Sequence, residues 1–77
     1  MKKVVLVTGG SSGIGKAISL FLQEKKYTVY GTSRNPSNYL DSTIPLLALD
    51  VQNQDSINLA VKELIQKEGQ LDILINN

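Results

Sequence analysis

The stretch Val4-Val5-Leu6-Val7-Thr8-Gly9-Gly10-Ser11-Ser12-Gly13-Ile14-Gly15 decides the fold of this chain. Its first four residues are apolar and predict a strand buried on both faces, as in a parallel sheet. The strand leads into a glycine-rich loop, and a helical pattern follows. This order predicts an anion site, because glycines let backbone N–H groups approach a phosphate and the helix N-terminus adds positive charge. The candidate binding residues are Gly9, Ser11, Ser12, Gly13, Ile14 and Gly15.

An apolar repeat predicts the helix that follows the loop. We expect the repeat to form the face that packs on the sheet, because its spacing matches one side of a helix. The helix is expected to end near Lys25 or Lys26, where no glycine is present. Lys26 should therefore take the left-handed conformation, at a cost of about 1 kcal/mol. The apolar residues of the repeat are Ile14, Ala17, Ile18, Phe21 and Leu22.

Two anion-binding motifs fit the glycine loop. Residues 10–16 have the P-loop spacing G-x-x-x-x-G-K, but Ala17 stands where a hydroxyl should hold magnesium. Residues 8–15 have the pattern T-G-x-x-x-G-I-G, which resembles the nucleotide loop of the short-chain dehydrogenase/reductase family. The missing hydroxyl makes a P-loop nucleotide-binding protein the less favoured alternative.

Composition limits the classes of function. Seventy-seven residues allow one small domain at most, and 42% hydrophobic residues support a packed core. A net charge of +1 gives no electrostatic argument for a nucleic-acid or membrane partner. The absence of cysteine and histidine excludes disulfides and a zinc or histidine-based catalytic site. The apolar run near the N-terminus is too short for a signal peptide, so we expect a soluble cytoplasmic protein without a metal site.

The end of the second predicted strand indicates the cofactor. Residues 27–32 are rich in β-branched and aromatic side chains, and they complete a right-handed βαβ unit. In dinucleotide folds an acidic residue at this point binds the ribose 2′-OH, whereas an arginine accommodates a 2′-phosphate. Ser33 stands in place of the acid and Arg34 follows it. These two residues favour NADP(H) over NAD(H).

A short crossover leads to the third strand. Pro36 is expected to open a single turn through Tyr39 and Leu40, because residues 35–44 leave too little chain for a helix. Tyr39 and Leu40 are expected to fill the gap over the sheet.

The remaining residues predict a strand, a helix and a strand. Residues 45–49 predict a third strand buried on both faces, and residues 71–75 predict a fourth with an unpaired edge. Residues 53–68 predict a helix with Asn53 as its N-cap and Gly69 as its stop. The apolar stripe of this helix comprises Ile57, Ala60, Val61, Leu64 and Ile65.

Together these elements predict an α/β fold, a three-layer, Rossmann-like doubly wound parallel sheet with four strands and two main helices. The loop motif, Asp50-Val51 after the third strand and the ending L-D-I-L-I-N-N at 71–77 extend the resemblance over the whole chain. Residues 1–77 resemble the NAD(P)-binding N-terminal half of a short-chain dehydrogenase/reductase. The final Asn76-Asn77 resembles the start of the family's N-N-A-G motif.

The resemblance implies hydride transfer between a nicotinamide dinucleotide and an alcohol or carbonyl. It implies that Asp50 contacts the adenine amino group, that Val51 lines the adenine pocket and that Asn77 approaches the ribose. From the residues alone, Asp50 fits equally well as a loop aspartate bound by nearby backbone N–H groups.

The family's catalytic serine, tyrosine and lysine lie beyond the N-N-A-G motif, so no catalytic residue is assigned to this chain. The intact protein is expected to be a homo-oligomer. The alternative is a stand-alone dinucleotide-binding module without catalysis, and the gene sequence after Asn77 distinguishes the two.

Overall fold

The computed structural model describes residues 2–10, 13–39, 42–50 and 52–76. A four-stranded, all-parallel sheet has the strand order β3-β2-β1-β4, so the predicted α/β fold is confirmed. In chain order the elements are β1 (Val4–Val7), α1 (Gly13–Glu24), β2 (Thr28–Ser33), a 3-10 turn (Pro36–Tyr39), β3 (Leu46–Ala48), α2 (Gln54–Glu68) and β4 (Ile73–Ile75).

The two helices cover opposite faces of the sheet and give it three layers. The face towards α1 is built from Val5, Val7, Val29 and Ile44, against which Ile18 and Leu22 pack. The face towards α2 is built from Val4, Leu6, Tyr30, Leu47 and Leu49, against which Ala60 and Leu64 pack. Because β1 supplies buried side chains to both faces, and each fully buried aliphatic side chain contributes about 1.5–3 kcal/mol, this strand is the centre of the fold.

The apolar repeat of α1 gives only part of the face that packs on the sheet. Ile14 is 73% exposed and Phe21 is 58% exposed, whereas Gly15 and Ser19 are buried. Ala17 is exposed as well. The expectation was wrong for these three residues because the side of α1 that faces the sheet is made by Gly15 and Ser19, with Ile18 and Leu22 beside them.

The ends of both helices follow the predicted chemistry. Lys26 has φ 75°, and its N–H donates to Gln23 O at 3.0 Å while Tyr27 N donates to Leu22 O at 3.2 Å. This is a Schellman ending with lysine in the position usually taken by glycine. At α2, Asn53 Oδ1 caps the first turn and Gly69 closes the last one at φ 81°.

The crossover and the sheet edges differ from the expectation in their burial. The 3-10 turn forms as predicted, but Tyr39 is 36% exposed and Leu40 lies outside the described residues. Ile44, at 2% exposure, is the residue of this crossover that packs with Val5, Val7 and Val29, and the Ser42 hydroxyl holds it by bonding both its N–H and its carbonyl. β3 was expected to be buried on both faces, yet Ala48 is exposed because the strand lies at the sheet edge.

The glycine loop packs directly on β2. A Cβ atom on Gly10 would lie 2.8 Å from Gly31 Cα, 3.0 Å from Ser19 Oγ and 3.1 Å from Val7 O. The reverse substitution is nearly as tight, because a Cβ on Gly31 would lie 3.1 Å from Gly10 Cα. The loop after β1 therefore rests on β2 by backbone contact.

Gly10→Ala should lower the free energy of unfolding by about 3 kcal/mol, because the backbone of β2 cannot yield to the added methyl group. Gly13→Ala is the matched control in the same loop. A Cβ there meets nothing within 4 Å, so only the left-handed φ of 58° is strained, at about 1 kcal/mol. Denaturant unfolding of both variants measures the difference. Equal losses would contradict the close contact.

Tyr30 ties β2 to the end of α2 and should make stability depend on pH. Its hydroxyl donates to Glu68 Oε2 at 2.6 Å, and this bond and burial raise the pKa of Tyr30 from 10.0 to about 12. The phenol is protonated in both states below about pH 10, so its contribution is complete there. The contribution falls as pH rises from about 10 to about 12, where the unfolded chain ionises first.

The matched variant is Tyr30→Phe, which should lose about 1–2 kcal/mol near neutral pH. The difference in unfolding free energy from the wild type should shrink above about pH 10. Denaturant titrations across that range measure it. A difference that stays constant through pH 12 would show that the hydroxyl is not held in this way.

Candidate functional site

The carboxyl ends of the four parallel strands meet at one edge of the sheet. Val7 pairs with both Gly31 and Ile75, and Ser33 pairs with Ala48, so the residues that follow these strands are neighbours. Leu49 N also donates to Ser33 O at 3.0 Å, which joins the ends of β2 and β3. In open α/β sheets ligands bind outside this edge. We call it the carboxyl edge.

The start of the glycine loop is held against β4. Thr8 is 7% exposed, and its N–H donates to Ile75 O at 3.0 Å. Its hydroxyl donates to Asn76 Oδ1 at 3.2 Å. The residue that opens the T-G-x-x-x-G-I-G pattern thus anchors the loop, and Asn76 takes part in that anchor.

The other side of the loop is held by β2. Gly9 has φ 68°, and its N–H donates to Thr32 Oγ1 at 3.0 Å. Thr32 is 2% exposed, so the acceptor of this bond is a buried hydroxyl, whereas Gly9 lies at the surface. The sequence motif does not include Thr32 or Gly10. A glycine inside a strand, here Gly31, is the sequence feature that indicates close contact between that strand and another backbone segment.

The start of α1 combines an open side and a packed side. Gly13 has φ 58° and faces open space, since no described atom lies within 4 Å of the place a Cβ would take. Gly15 is buried next to the sheet, and Ser19 Oγ donates to its carbonyl at 2.8 Å. Ile14 between them is exposed. Ser11 and Ser12 lie outside the described residues.

Ser33 is the last residue of β2, and Arg34 follows the strand. Ser33 Oγ accepts a hydrogen bond from Asn35 N at 3.1 Å, which shapes the turn after the strand. Arg34 is exposed, and its guanidinium has no hydrogen-bond or ion-pair partner within the described residues. It is a fixed-charge group at the carboxyl edge that is available to an anion.

Asp50 is built into the turn between β3 and α2. Its N–H donates to Ser56 Oγ at 2.8 Å, and its Oδ1 accepts from Gln52 N at 3.0 Å. Its carbonyl accepts from Asn53 N at 2.9 Å. The alternative of a loop aspartate bound by a backbone N–H is therefore observed for one carboxylate oxygen. Oδ2 has no partner among the residues the structure describes. Val51 and Asn77 lie outside that set.

A largely apolar cavity of about 210 Å³ opens at the carboxyl edge on the side of α2. Sequence reasoning missed it because its walls come from β1, β4, α2 and the segment after β3. Its lining comprises Leu6, Thr8, Leu49, Ile57, Val61, Leu74 and Asn76. Within residues 2–10, 13–39, 42–50 and 52–76, no group of three acidic side chains is placed to hold a metal ion, and neither helix is long and apolar enough to cross a membrane.

Comparison with known proteins places these features in one family. A family model described as short chain dehydrogenase matches residues 3–77. The chain is 43% identical to a 3-ketodihydrosphingosine reductase of Bacteroides thetaiotaomicron, over 97% of this chain and 28% of that protein. It is 42% identical to the 3-oxoacyl-(acyl-carrier-protein) reductase FabG of Vibrio cholerae, over 97% of this chain and 33% of that protein.

Solved structures agree with the sequence relatives. The aldohexose dehydrogenase of Thermoplasma acidophilum, solved in ligand-free form, superposes with a TM-score of 0.89 at 29% identity, over 99% of this chain and 29% of that one. The structure of ElxO with NADP bound superposes with a TM-score of 0.81 at 38% identity, over 100% of this chain and 35% of that one. The chain thus spans about a third or less of the length of these relatives. Because the family model matches almost every residue of a chain with this loop and this strand order, the chain belongs to the short-chain dehydrogenase family.

Proposed function

We propose that this chain is the dinucleotide-binding part of an NADP(H)-dependent short-chain oxidoreductase. In the intact protein, the nicotinamide would exchange a hydride with an alcohol or carbonyl. The observation that carries the proposal is the arrangement at the carboxyl edge, where a glycine loop is anchored on both sides. Arg34, which has no partner among the residues that the structure describes, follows the adjacent strand.

The glycine loop and the start of α1 would hold the pyrophosphate. Gly13 leaves the outer side of the loop open, and the positive end of the α1 dipole lies behind it. Ser11 and Ser12 belong to the same loop and are proposed as further ligands. Gly9 and Gly15 would shape the backbone of the site. Gly9 N–H is bonded to Thr32 Oγ1, and the Gly15 carbonyl is bonded to Ser19 Oγ. Ile14, exposed at the first turn, would contact the dinucleotide.

Arg34 would select the 2′-phosphate. An exposed guanidinium can bind a phosphate through two parallel hydrogen bonds, and within residues 2–10, 13–39, 42–50 and 52–76 no ion pair of Arg34 would have to break. Ser33 supports the selection because it places a neutral side chain where an acid would repel that phosphate. The bound NADP in the ElxO structure supports the same preference.

The adenine would lie near the turn between β3 and α2. Asp50 Oδ2 is available to its amino group, and the cavity of about 210 Å³, which the preceding residue Leu49 helps to line, offers apolar walls. Val51 and Asn77 are proposed to complete the adenine and ribose contacts. The names of the two reductases among the relatives support carbonyl reduction as the direction of the reaction.

Several expectations about the intact protein belong to the same proposal. Residues 1–77 would form its NAD(P)-binding half, and the catalytic residues would lie outside them. We further propose a cytoplasmic homo-oligomer without a nucleic-acid or membrane partner. The net charge of +1 supports the last point, since it gives no field that would attract a polyanion.

Arg34→Ala should weaken NADPH binding by roughly 10- to 100-fold and leave NADH binding unchanged, because only NADPH carries the 2′-phosphate. Arg34→Lys should fall between, since it keeps the charge and loses the paired donors. Lys62→Ala, an exposed cation on α2, is the control. Fluorescence titrations with the protein expressed from its complete gene give the dissociation constants.

Three outcomes separate the parts of the proposal. Equal affinity of the wild type for NADPH and NADH would contradict the cofactor preference. Binding of neither would contradict the function. Binding without turnover of any alcohol or carbonyl would favour the stand-alone module instead.

A further inference from the structure

We infer that Thr32 is a positioning residue for the dinucleotide. Its buried hydroxyl holds the glycine loop on β2 in the geometry that receives the pyrophosphate. This inference rests on the proposed function and concerns a residue that the T-G-x-x-x-G-I-G pattern does not include.

The strand does not require a hydroxyl at position 32, whereas the hydrogen bond to the loop does. Thr32 is 2% exposed, and Val29 occupies a buried position of the same strand without a hydroxyl. Valine and threonine suit a strand almost equally, whereas a buried hydroxyl is costly unless it is hydrogen-bonded. The partner of this hydroxyl is Gly9 N–H at 3.0 Å.

Gly9 is the point where the direction of the loop is set. It follows Thr8 directly and turns the chain at φ 68°, a conformation that favours glycine. Its N–H donates to Thr32, so the N–H of Gly9 itself is occupied and is not offered to a phosphate. Rotation at Gly9 would move every later residue of the loop.

The adjacent residues of the loop and of β2 add a second contact. Gly10 lies against Gly31, so closely that a Cβ on either would approach the Cα of the other to 2.8 or 3.1 Å. The pair Gly9-Gly10 therefore sits on the pair Gly31-Thr32. Ser33 then ends β2, and Arg34 follows it. The end of β2 thus contacts the loop proposed to bind the pyrophosphate, and it is followed by Arg34, the residue proposed to bind the 2′-phosphate.

Loss of the Thr32 hydroxyl would remove the hydrogen bond between the loop and β2. The packing of Gly10 on Gly31 and the bonds of Thr8 to Ile75 and Asn76 would remain. Gly9 N–H would lose its acceptor and would be stabilised by turning towards water. Because NADPH and NADH share the pyrophosphate, both should be affected alike. This distinguishes Thr32 from Arg34, whose replacement should affect NADPH alone.

The test compares Thr32→Val, which is isosteric, with Thr32→Ser, which keeps the hydroxyl. Thr32→Val should weaken NADPH and NADH binding by about tenfold each, with their ratio unchanged. Thr32→Ser should restore affinity to within about twofold of the wild type. With the enzyme expressed from its complete gene, KM for the cofactor should rise while kcat at saturation changes little, because the reacting groups are untouched.

Tyr30→Phe is the matched control. It removes a hydroxyl from the same strand, but that hydroxyl bonds Glu68 of α2 and not the loop. It should lower stability and leave both affinities unchanged. If Thr32→Val does not fold, Thr32→Ala removes the hydroxyl without adding a methyl group.

Amide hydrogen exchange at Gly9 separates this inference from the proposed function. Exchange should be faster in Thr32→Val than in the wild type, whether or not a dinucleotide binds. A wild type that binds neither dinucleotide but shows this difference would contradict the function and leave the geometry supported. Equal exchange, wild-type affinity in Thr32→Val, or no recovery in Thr32→Ser would overturn the role of Thr32.

Discussion

The close backbone contact between Gly10 and Gly31 is the constraint on which the structure of the carboxyl edge depends. A side chain at either position would separate the loop after β1 from the end of β2. With both reduced to hydrogen, the loop lies low enough for Gly9 N–H to reach Thr32 and for Ser19 of α1 to pack beside it. The loop, β2 and α1 therefore meet at Gly10, Gly31 and Ser19. This contact determines the position of the N-terminus of α1 relative to the carboxyl edge.

The elements and their ends were predictable because short-range chemistry determines them. The side-chain bonds of Asn53 cap α2, the φ angles of Lys26 and Gly69 close the two helices, and Pro36 opens the 3-10 turn. The positions of Ser33, Arg34 and Asp50 at one edge also followed from strand order. Parallel strands connected by crossovers bring their carboxyl ends together whatever side chains fill the core.

The burial of individual side chains was not predictable from local pattern. An apolar repeat marks Ile14 and Phe21 as core, but the sheet-facing side of α1 is set by how closely its backbone approaches, which favours Gly15 and Ser19. The hydrogen bond between Gly9 and Thr32 joins residues 23 positions apart, so no periodicity reveals it.

At the carboxyl edge, the residues that fix the loop differ from the residue proposed to choose between NADPH and NADH. Lys26, at the opposite end of the sheet, belongs to neither group. The loop is held by buried groups, whereas Arg34 is exposed, so the proposed dinucleotide preference could change by substitution of Arg34 without disturbing the core. At the opposite end of the sheet, the lysine that ends α1 holds a conformation costing about 1 kcal/mol that glycine adopts freely. Replacing Lys26 with glycine would remove this cost and stabilise the fold. The gain could offset destabilising substitutions at the carboxyl edge.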